Sequence, residues 1–306
     1  GVGHAALGAH ISYGEETSMA KYDRSVEDIG NVVMLEHVNT RVPDQHLATA
    51  FYVTGLGLTR DPFIMTGTNN MWINVGRSQF HLPSGGPQVL RGVTGIVIEG
   101  RARLLERLGD VEKLLSGTRF SWRETEGAVE VTCPWGNRIR IHEPGPEFAN
   151  TRLGMPYVQL DVPSGAAEGI ARFYREIVST PASVEQVDGA SAARVSVGDG
   201  QVLIFRECDD EAPAFDGHHI AVYLADFSGP YNKLMERGLI TEESDQHQYR
   251  FLDIVDPYSG DALFRLEHEV RSMRHPMYAR PLVNRNPAIN NRNYVPGYQE
   301  MAWASA

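Results

Sequence analysis

Histidine and acidic side chains recur at matched places along this 306-residue chain. EHVNTRVP (36–43) and PYVQLDVP (156–163) correspond position by position up to a shared Val-Pro, and HVNTRVPD (37–44) corresponds to HIAVYLAD (219–226). His37, Tyr157 and His219 are therefore equivalent residues. Further along the same stretches, QFHLP carries His81, 44 residues after His37, and LFRLEHE carries Glu267, 48 residues after His219. Imidazole and carboxylate are donor types that suit Zn, Fe(II), Mn, Ni or Co. A lone histidine is more often an ordinary half-buried side chain than a ligand, so the repetition carries the signal rather than any one residue.

The elements that must position these residues form a repeating unit. Four segments open on a strand: VVMLEHVNTRV (32–42), VTGIVIEG (93–100), PYVQLDV (156–162) and HHIAVYL (218–224), with starts about 60 residues apart. Each is followed by an apolar stripe at helical spacing, as in Leu47, Ala50, Phe51 and Thr54, or Ile170, Phe173, Tyr174 and Ile177. Pro43 and Pro163 suit helix starts, and Gly55 and Gly238 suit left-handed caps. The rest of each segment reads as strands reversing at Gly76, Pro134–Asn137, Gly198–Gly200 and Pro257–Asp261. The pattern is βαβββ, four times over, in an α+β protein.

FYVTGLGLTR (51–60), standing after HVNTRVPD, resembles the opening of a vicinal oxygen chelate module, and FYREIVST (173–180) and HIAVYLAD resemble the same positions in later modules. LFRLE resembles the last-strand carboxylate motif of 4-hydroxyphenylpyruvate dioxygenase. The resemblance to this superfamily, which includes glyoxalase I, bleomycin-resistance proteins and extradiol dioxygenases, covers about residues 32–270. It implies four modules pairing into two half-barrels, each a U-shaped sheet able to surround a metal, with ligands from the first and last strands of a module. Alternation along a strand turns every second residue inward. On that resemblance one divalent ion (Fe, Zn, Mn, Ni or Co) is held by His37, His81, His219 and Glu267. Glu269 is the substitute carboxylate if the register differs. Modules two and three lack such a pair: Gly92–Thr94 offers no ligand, Arg140 stands at the usual carboxylate position with His142 two residues on, and module three shows Ile204 and Arg206. This distribution favours pairing module one with module four over pairing one with two. Along the chain we expect an extension over 1–31, modules one and two in 32–150, modules three and four in 151–270, and a tail over 271–306.

The same inward faces carry Asn39, Arg41, Gln79, Ala221, Tyr223 and Arg265. Arg41 and Arg265 are expected to grip a substrate carboxylate, and Tyr223 to donate a proton or orient an oxyanion; pairing with the ligand carboxylate or with one another is the equal alternative. His218 and His268 are expected to face outward, and His46, His247 and His275 to lie on the surface or in turns. PSGGP (83–87) is a linker, since no lysine and no helix follow it.

Composition narrows the function classes. With 42% apolar and 22% charged residues the chain is globular, and a net charge of −11 argues against nucleic acid as a partner. No apolar run reaches membrane-spanning length, and no signal peptide is visible. Cys133 and Cys208 form neither a disulfide framework nor a zinc knuckle, so a reducing cytoplasm is expected. The tail after Glu269 holds five arginines against Glu300 alone, making it +4 and the rest of the chain −15. It reads as a solvated wrap, a lid, or an arm gripping a second copy. The leading function is a metal-dependent lyase or isomerase whose small substrate is chelated through adjacent oxygens, with enolate stabilisation as the shared step. The alternatives are an Fe(II)-dependent, extradiol-like dioxygenase and a metal-free sequestering protein with an aromatic cleft.

Overall fold

The structure, a computed structural model, describes residues 22–62, 64, 69–210 and 213–283. Module one runs β1 (Val32–Asn39), α1 (Gln45–Ala48) widening into a π-helical turn over Thr49–Gly55, β2 (Thr59–Arg60), β3 (Asn70–Val75) and β4 (Ser78–Pro83). Module two runs β5 (Gly92–Ile98), α2 (Arg101–Val111), β6 (Ser121–Thr125), β7 (Ala128–Thr132) and β8 (Arg138–His142). Module three runs β9 (Leu153–Pro163), α3 (Ala167–Phe173) with a π-helical continuation over Tyr174–Val178, β10 (Ala182–Val187), β11 (Ala190–Ser196) and β12 (Val202–Cys208). Module four runs β13 (His219–Leu224), α4 (Ser228–Glu236), β14 (Ile240–Asp245), β15 (Gln248–Val255) and β16 (Ala262–Ser272). These are the four expected βαβββ units.

They form two eight-stranded sheets, in the orders β14-β15-β16-β13-β1-β4-β3-β2 and β10-β11-β12-β9-β5-β8-β7-β6. The first sheet joins modules four and one through the antiparallel pair β1–β13; the second joins three and two through β5–β9. Both sheets thus cut across the halves 32–150 and 151–270 of the sequence. Within each module the first strand lies parallel to the last, as β1 to β4 and β13 to β16, so ligand candidates on those two strands become neighbours.

The helices cover the outer faces of the sheets. Asp44 caps α1 by accepting from the amides of His46 and Leu47. The left-handed residue after this helix is Gly57 (φ +74°) rather than Gly55, because the π-helical turn pushes the reversal two residues on. Phe51, Phe173, Tyr174 and Phe251 belong to one apolar core. His268 faces that outer core, stacked on Phe251 at 4.2 Å with its Nε2 2.6 Å from the Tyr174 hydroxyl, so the inner face of β16 is left to Glu267, Glu269 and Arg271. At Gly76 a Cβ would lie 2.2 Å from the Leu153 carbonyl oxygen, and φ is +65°; the absent side chain lets the β3–β4 turn rest on the second sheet.

The segment after β16 continues to residue 283, and residues 284–306, which carry the remaining tail arginines, lie outside the described residues. Cys133 and Cys208 are free thiols. Among the described residues no helix is long and apolar enough to cross a membrane.

Candidate metal centre

The site begins at a break in β1. Pairing with β13 runs Leu35 to Val222 and then His37 to Ala221, so Glu36 is an extra, bulged residue. The bulge sets Glu36 Oε2 2.8 Å from Nδ1 of its neighbour His37, where strict alternation would send the two side chains apart. His37 is fully buried, and its Nε2 has no hydrogen-bond partner among the described residues. His219, two residues from Ala221 on the same face, is 7% exposed; its Nδ1 lies 3.3 Å from Glu267 Oε2, and its Nε2 has no hydrogen-bond partner. His81 arrives from β4. Its ring stacks on Trp72 at 3.7 Å, and its Nε2 is 2.6 Å from Asn70 Oδ1. The three imidazoles offer donor atoms that all lie within 4.8 Å of one another.

Burial disfavours the charged form of two of these rings. It drives His37 well below the ordinary imidazole range, and it lowers His81 too, with help from His37 and His219 nearby. A neutral ring holds one lone pair. In His37 and His219 a carboxylate occupies the Nδ1 side, so the lone pair belongs to the unpartnered Nε2.

Two arginines organise the carboxylates. Arg271 Nη1 bonds Glu36 Oε2, while its Nη2 lies 2.5 Å from Glu269 Oε1 without the angle of a hydrogen bond. Arg250 bonds both Glu267 Oε2, at 3.0 Å, and Glu269 Oε2. Burial opposes ionisation of Glu269, but the charges around it, those of Arg271 and Arg250 among them, outweigh it and bring the carboxyl below its usual range. Burial likewise opposes ionisation of Glu267, yet His219 and Arg250 lower it on balance. Glu36 is pushed up by burial, against the pull of Arg271 and the Tyr223 hydroxyl, which donates to Glu36 Oε1 at 2.9 Å.

Register distinguishes the two acids of β16. His37 lies opposite Gln79 and Asn39 opposite His81; His219 lies opposite Glu267 and Ala221 opposite Glu269. With His37 equivalent to His219, the counterpart of His81 is Glu269, and Glu267 matches Gln79. Glu269 Oε2 is 3.6 Å from His219 Nε2, on the side of the orphaned nitrogens.

The structure therefore brings His37, His81 and His219 together and places Glu267 against the far nitrogen of His219. Tyr223 is buried beside them, bound to Glu36. Arg41 and Arg265 are not joined to the cluster: both are exposed, and Arg265 Nε donates to Asp253 Oδ1 at 2.8 Å. The expectation for Arg41 rests on alternation carried past Asn39, where β1 ends. Glu36, Arg250 and Arg271 were absent from the sequence-derived set. Alternation from Glu267 through Glu269 points to Arg271, but nothing in the sequence marks the bulge that turns Glu36 inward.

Beyond Tyr223 the groove is covered by the chain after β16. Tyr278 packs on Tyr223 at 4.9 Å, Arg280 pairs with the fully buried Asp61, and Asn74 donates to the Val283 carbonyl. A cavity of about 470 Å3 lies beneath, lined by Met34, Glu36, Gln79, Met155, Gln201 and Tyr278 among others.

Among the described residues the second sheet holds no such donor set. By the same register, Val93, Arg140, Tyr157 and Ile204 occupy the equivalent positions. Val93, Tyr157, Ala192 and Ile204 pack as an apolar cluster. Tyr157 lies over Gly95, where a Cβ would sit 2.2 Å from its ring, and its hydroxyl is 2.9 Å from His142 Nε2. His142 thus belongs to the other half-barrel.

No family model and no curated protein matches the chain. Solved structures do. Glyoxalase I from Zea mays superposes with a TM-score of 0.54 at 14% identity, covering 78% of this chain and 92% of its own. A "putative dioxygenase" from Bacillus subtilis subsp. subtilis str. 168 superposes with a TM-score of 0.53 at 17% identity, covering 80% of this chain and 86% of its own. The chain shares the fold of these two structures.

Proposed function

We propose that this chain is a metal-dependent enzyme acting on a small substrate held through two neighbouring oxygens. His37, His81 and His219 hold one divalent transition ion in this reading, and Glu269, rather than Glu267, supplies the carboxylate. The carrying observation is the pair of Nε2 atoms, on two buried and converging imidazoles, that have no hydrogen-bond partner among the described residues. A buried acceptor left unmade costs roughly 1–3 kcal/mol, and an ion at their meeting point removes that cost. Charge agrees. Glu36, Glu267 and Glu269 outnumber Arg250 and Arg271, the arginines paired with them, so the donor set suits a cation.

Such an ion supplies Lewis acidity, which polarises a carbonyl or stabilises an enolate and so serves isomerisation, elimination and ring opening alike. The protein's own groups do the rest. Arg250 and Arg271 hold Glu269 beside the imidazoles, and Trp72 fixes the plane of His81. Tyr223, tied to Glu36 beneath Tyr278, orients that carboxylate in preference to donating a proton to substrate. The cavity beside Glu36 has room for a molecule of modest size.

One observation favours the dioxygenase alternative. His81 is engaged by Asn70 and Trp72, which leaves His37, His219 and Glu269 as the two-histidine, one-carboxylate set of a non-haem Fe(II) oxygenase.

The test is a titration of chelator-stripped protein with Zn(II), Mn(II), Co(II), Ni(II) and, without oxygen, Fe(II). The expected result is one ion per chain, lost in His37→Ala. Loaded protein is then offered a catechol with an oxygen electrode, and an α-hydroxycarbonyl compound in D2O with proton exchange followed by NMR. Oxygen uptake selects the dioxygenase, and exchange without oxygen uptake selects the isomerase or lyase. A wild-type protein that binds no ion refutes both and leaves sequestration.

A further inference from the structure

Glu36 and Glu267 approach the same atom of their histidines from unrelated places, Glu36 in a hydrogen bond and Glu267 at ion-pair distance. Glu36 reaches His37 Nδ1 at 2.8 Å from the bulge in β1, immediately before the histidine it serves. Glu267 reaches His219 Nδ1 at 3.3 Å across the parallel pair β13–β16, from the position directly opposite its histidine. His37 and His219 are themselves equivalent, each lying opposite the residue two beyond the other. In both, the carboxylate sits at Nδ1 and the unpartnered atom is Nε2.

We propose that Glu36 and Glu267 are a matched pair of positioning residues, each fixing its histidine in the Nδ1–H form with the Nε2 lone pair turned into the site. The inference rests on the metal reading above and deepens it, because it takes Glu267 out of the ligand set and gives it an indirect role. A carboxylate accepting from Nδ1–H selects the tautomer, fixes the ring plane and raises the basicity of the distal nitrogen. Removing such a partner weakens metal binding by about 10–100-fold without changing the number of ions bound.

The two carboxylates are not equally anchored. Glu36 is 4% exposed and is held by the Tyr223 hydroxyl and by Arg271, whose other end reaches Glu269. A chain of contacts therefore runs His37–Glu36–Arg271–Glu269, joining one imidazole to the carboxylate on the far strand. Glu267 is half-buried and, among the described residues, is held by Arg250 besides its histidine. Glu36 also lines the cavity beside the site, so a molecule lodged there touches the group that orients His37.

The experiment compares wild type, Glu36→Gln, Glu267→Ala and Glu269→Gln. Zn(II) affinity and stoichiometry are measured by competition with a chromophoric chelator, and imidazole tautomers by 15N NMR of the metal-free proteins. The expected result is Nδ1–H for His37 and His219 in wild type, and mixed tautomers for His219 in Glu267→Ala. That variant still binds one ion per chain, about 10–100-fold more weakly. Glu36→Gln behaves likewise at His37; should it fail to fold, Glu267→Ala decides the matter, since its side chain is partly solvated. Unchanged affinity in Glu267→Ala, complete loss of binding in it, or Nε2–H in the wild-type rings overturns the proposal. If wild type binds no ion while both rings show Nδ1–H, the metal reading fails and the tautomer assignment stands.

Discussion

Replacing Arg271 with methionine removes the one cation shared by two buried carboxylates. Arg271 has a side chain 7% exposed, and it touches Glu36 and Glu269, each 5% exposed at the side chain. Breaking a buried ion pair by deleting one partner costs about 3–5 kcal/mol, because the remaining charge stays desolvated. Here two acids lose their partner, but Arg250 still holds Glu269 and the Tyr223 hydroxyl still donates to Glu36, so the same range applies. At about 2–4 °C per kcal/mol for a chain of this size, the melting midpoint in EDTA falls by about 6–20 °C. Of the two arginines paired with the three acids, Arg250 then remains and Arg271 does not.

That loss makes the effect depend on metal. An ion present at 100 times its Kd stabilises any protein that binds it by about 2.7 kcal/mol. In Arg271→Met the ion also relieves the exposed repulsion of Glu36 and Glu269, so its stabilising increment exceeds that of wild type. Differential scanning fluorimetry in EDTA and in excess Mn(II) measures both increments, with circular dichroism confirming the fold. Arg271→Lys keeps the charge without the fork and falls between the two. An undiminished midpoint in EDTA, or equal losses with and without the ion, refutes the assignment of Arg271 as the shared counter-charge.

Gly95→Ala forces a methyl group into the Tyr157 ring, so urea unfolding shows a loss of about 1–3 kcal/mol that Tyr157→Ala suppresses, while the number of ions bound is unchanged. Equal stability of Gly95→Ala and wild type contradicts the filled second site. Arg280→Gln strips the cation from the fully buried Asp61, and faster chymotryptic cleavage at Tyr278 reports release of the covering segment; an unchanged cleavage rate means that the pair does not hold it. Burial holds His268 down to about 4, below the 6.5 of an unfolded histidine, so the unfolded chain takes up the proton first. The stabilisation is complete above about pH 6.5 and is lost as pH falls toward 4, on the order of 3 kcal/mol in all; unfolding free energies of His268→Gln decline less steeply over that window, and parallel declines would exclude the effect.

The repeated strand–helix–strand pattern was legible because period-2 and period-3.6 apolar spacing survive in each module, and the histidines followed from matching the repeats. The pairing of modules one and four was legible for a chemical reason: only that pairing gathers the imidazoles. What the sequence left open depends on register. LFRLEHE places two acids on one face, and which of them matches His81 is set by the pairing of β16 with β13, a contact between strands over 40 residues apart. Glu36 was hidden because alternation sends the neighbour of an inward residue outward, and one bulge reverses that. By composition Arg271 belongs to the basic tail, whereas β16 extends to Ser272 and carries it into the site. The π-helical turns at Thr49–Gly55 and Tyr174–Val178 leave no mark in the apolar spacing.

The two half-barrels, built from one unit, show what is particular to the site. Asn39 and Gly95 occupy equivalent places, as do His37 and Val93, His219 and Tyr157. In the second sheet those places are resolved as ordinary core: Gly95 cradles a tyrosine ring, Val93 and Ile204 close around it, and the tyrosine hydroxyl finds His142. In the first sheet the same places keep buried polar atoms without partners: His37 Nε2, His219 Nε2 and Asn39 Oδ1. Each costs roughly 1–3 kcal/mol if left unmade, a burden the fold itself does not require, since the second sheet adopts the same architecture without it. A scaffold that closes one groove with hydrocarbon and lines the other with neutral imidazoles and anchored carboxylates holds the second ready for a cation, and that contrast within one chain separates a binding site from an accident of packing.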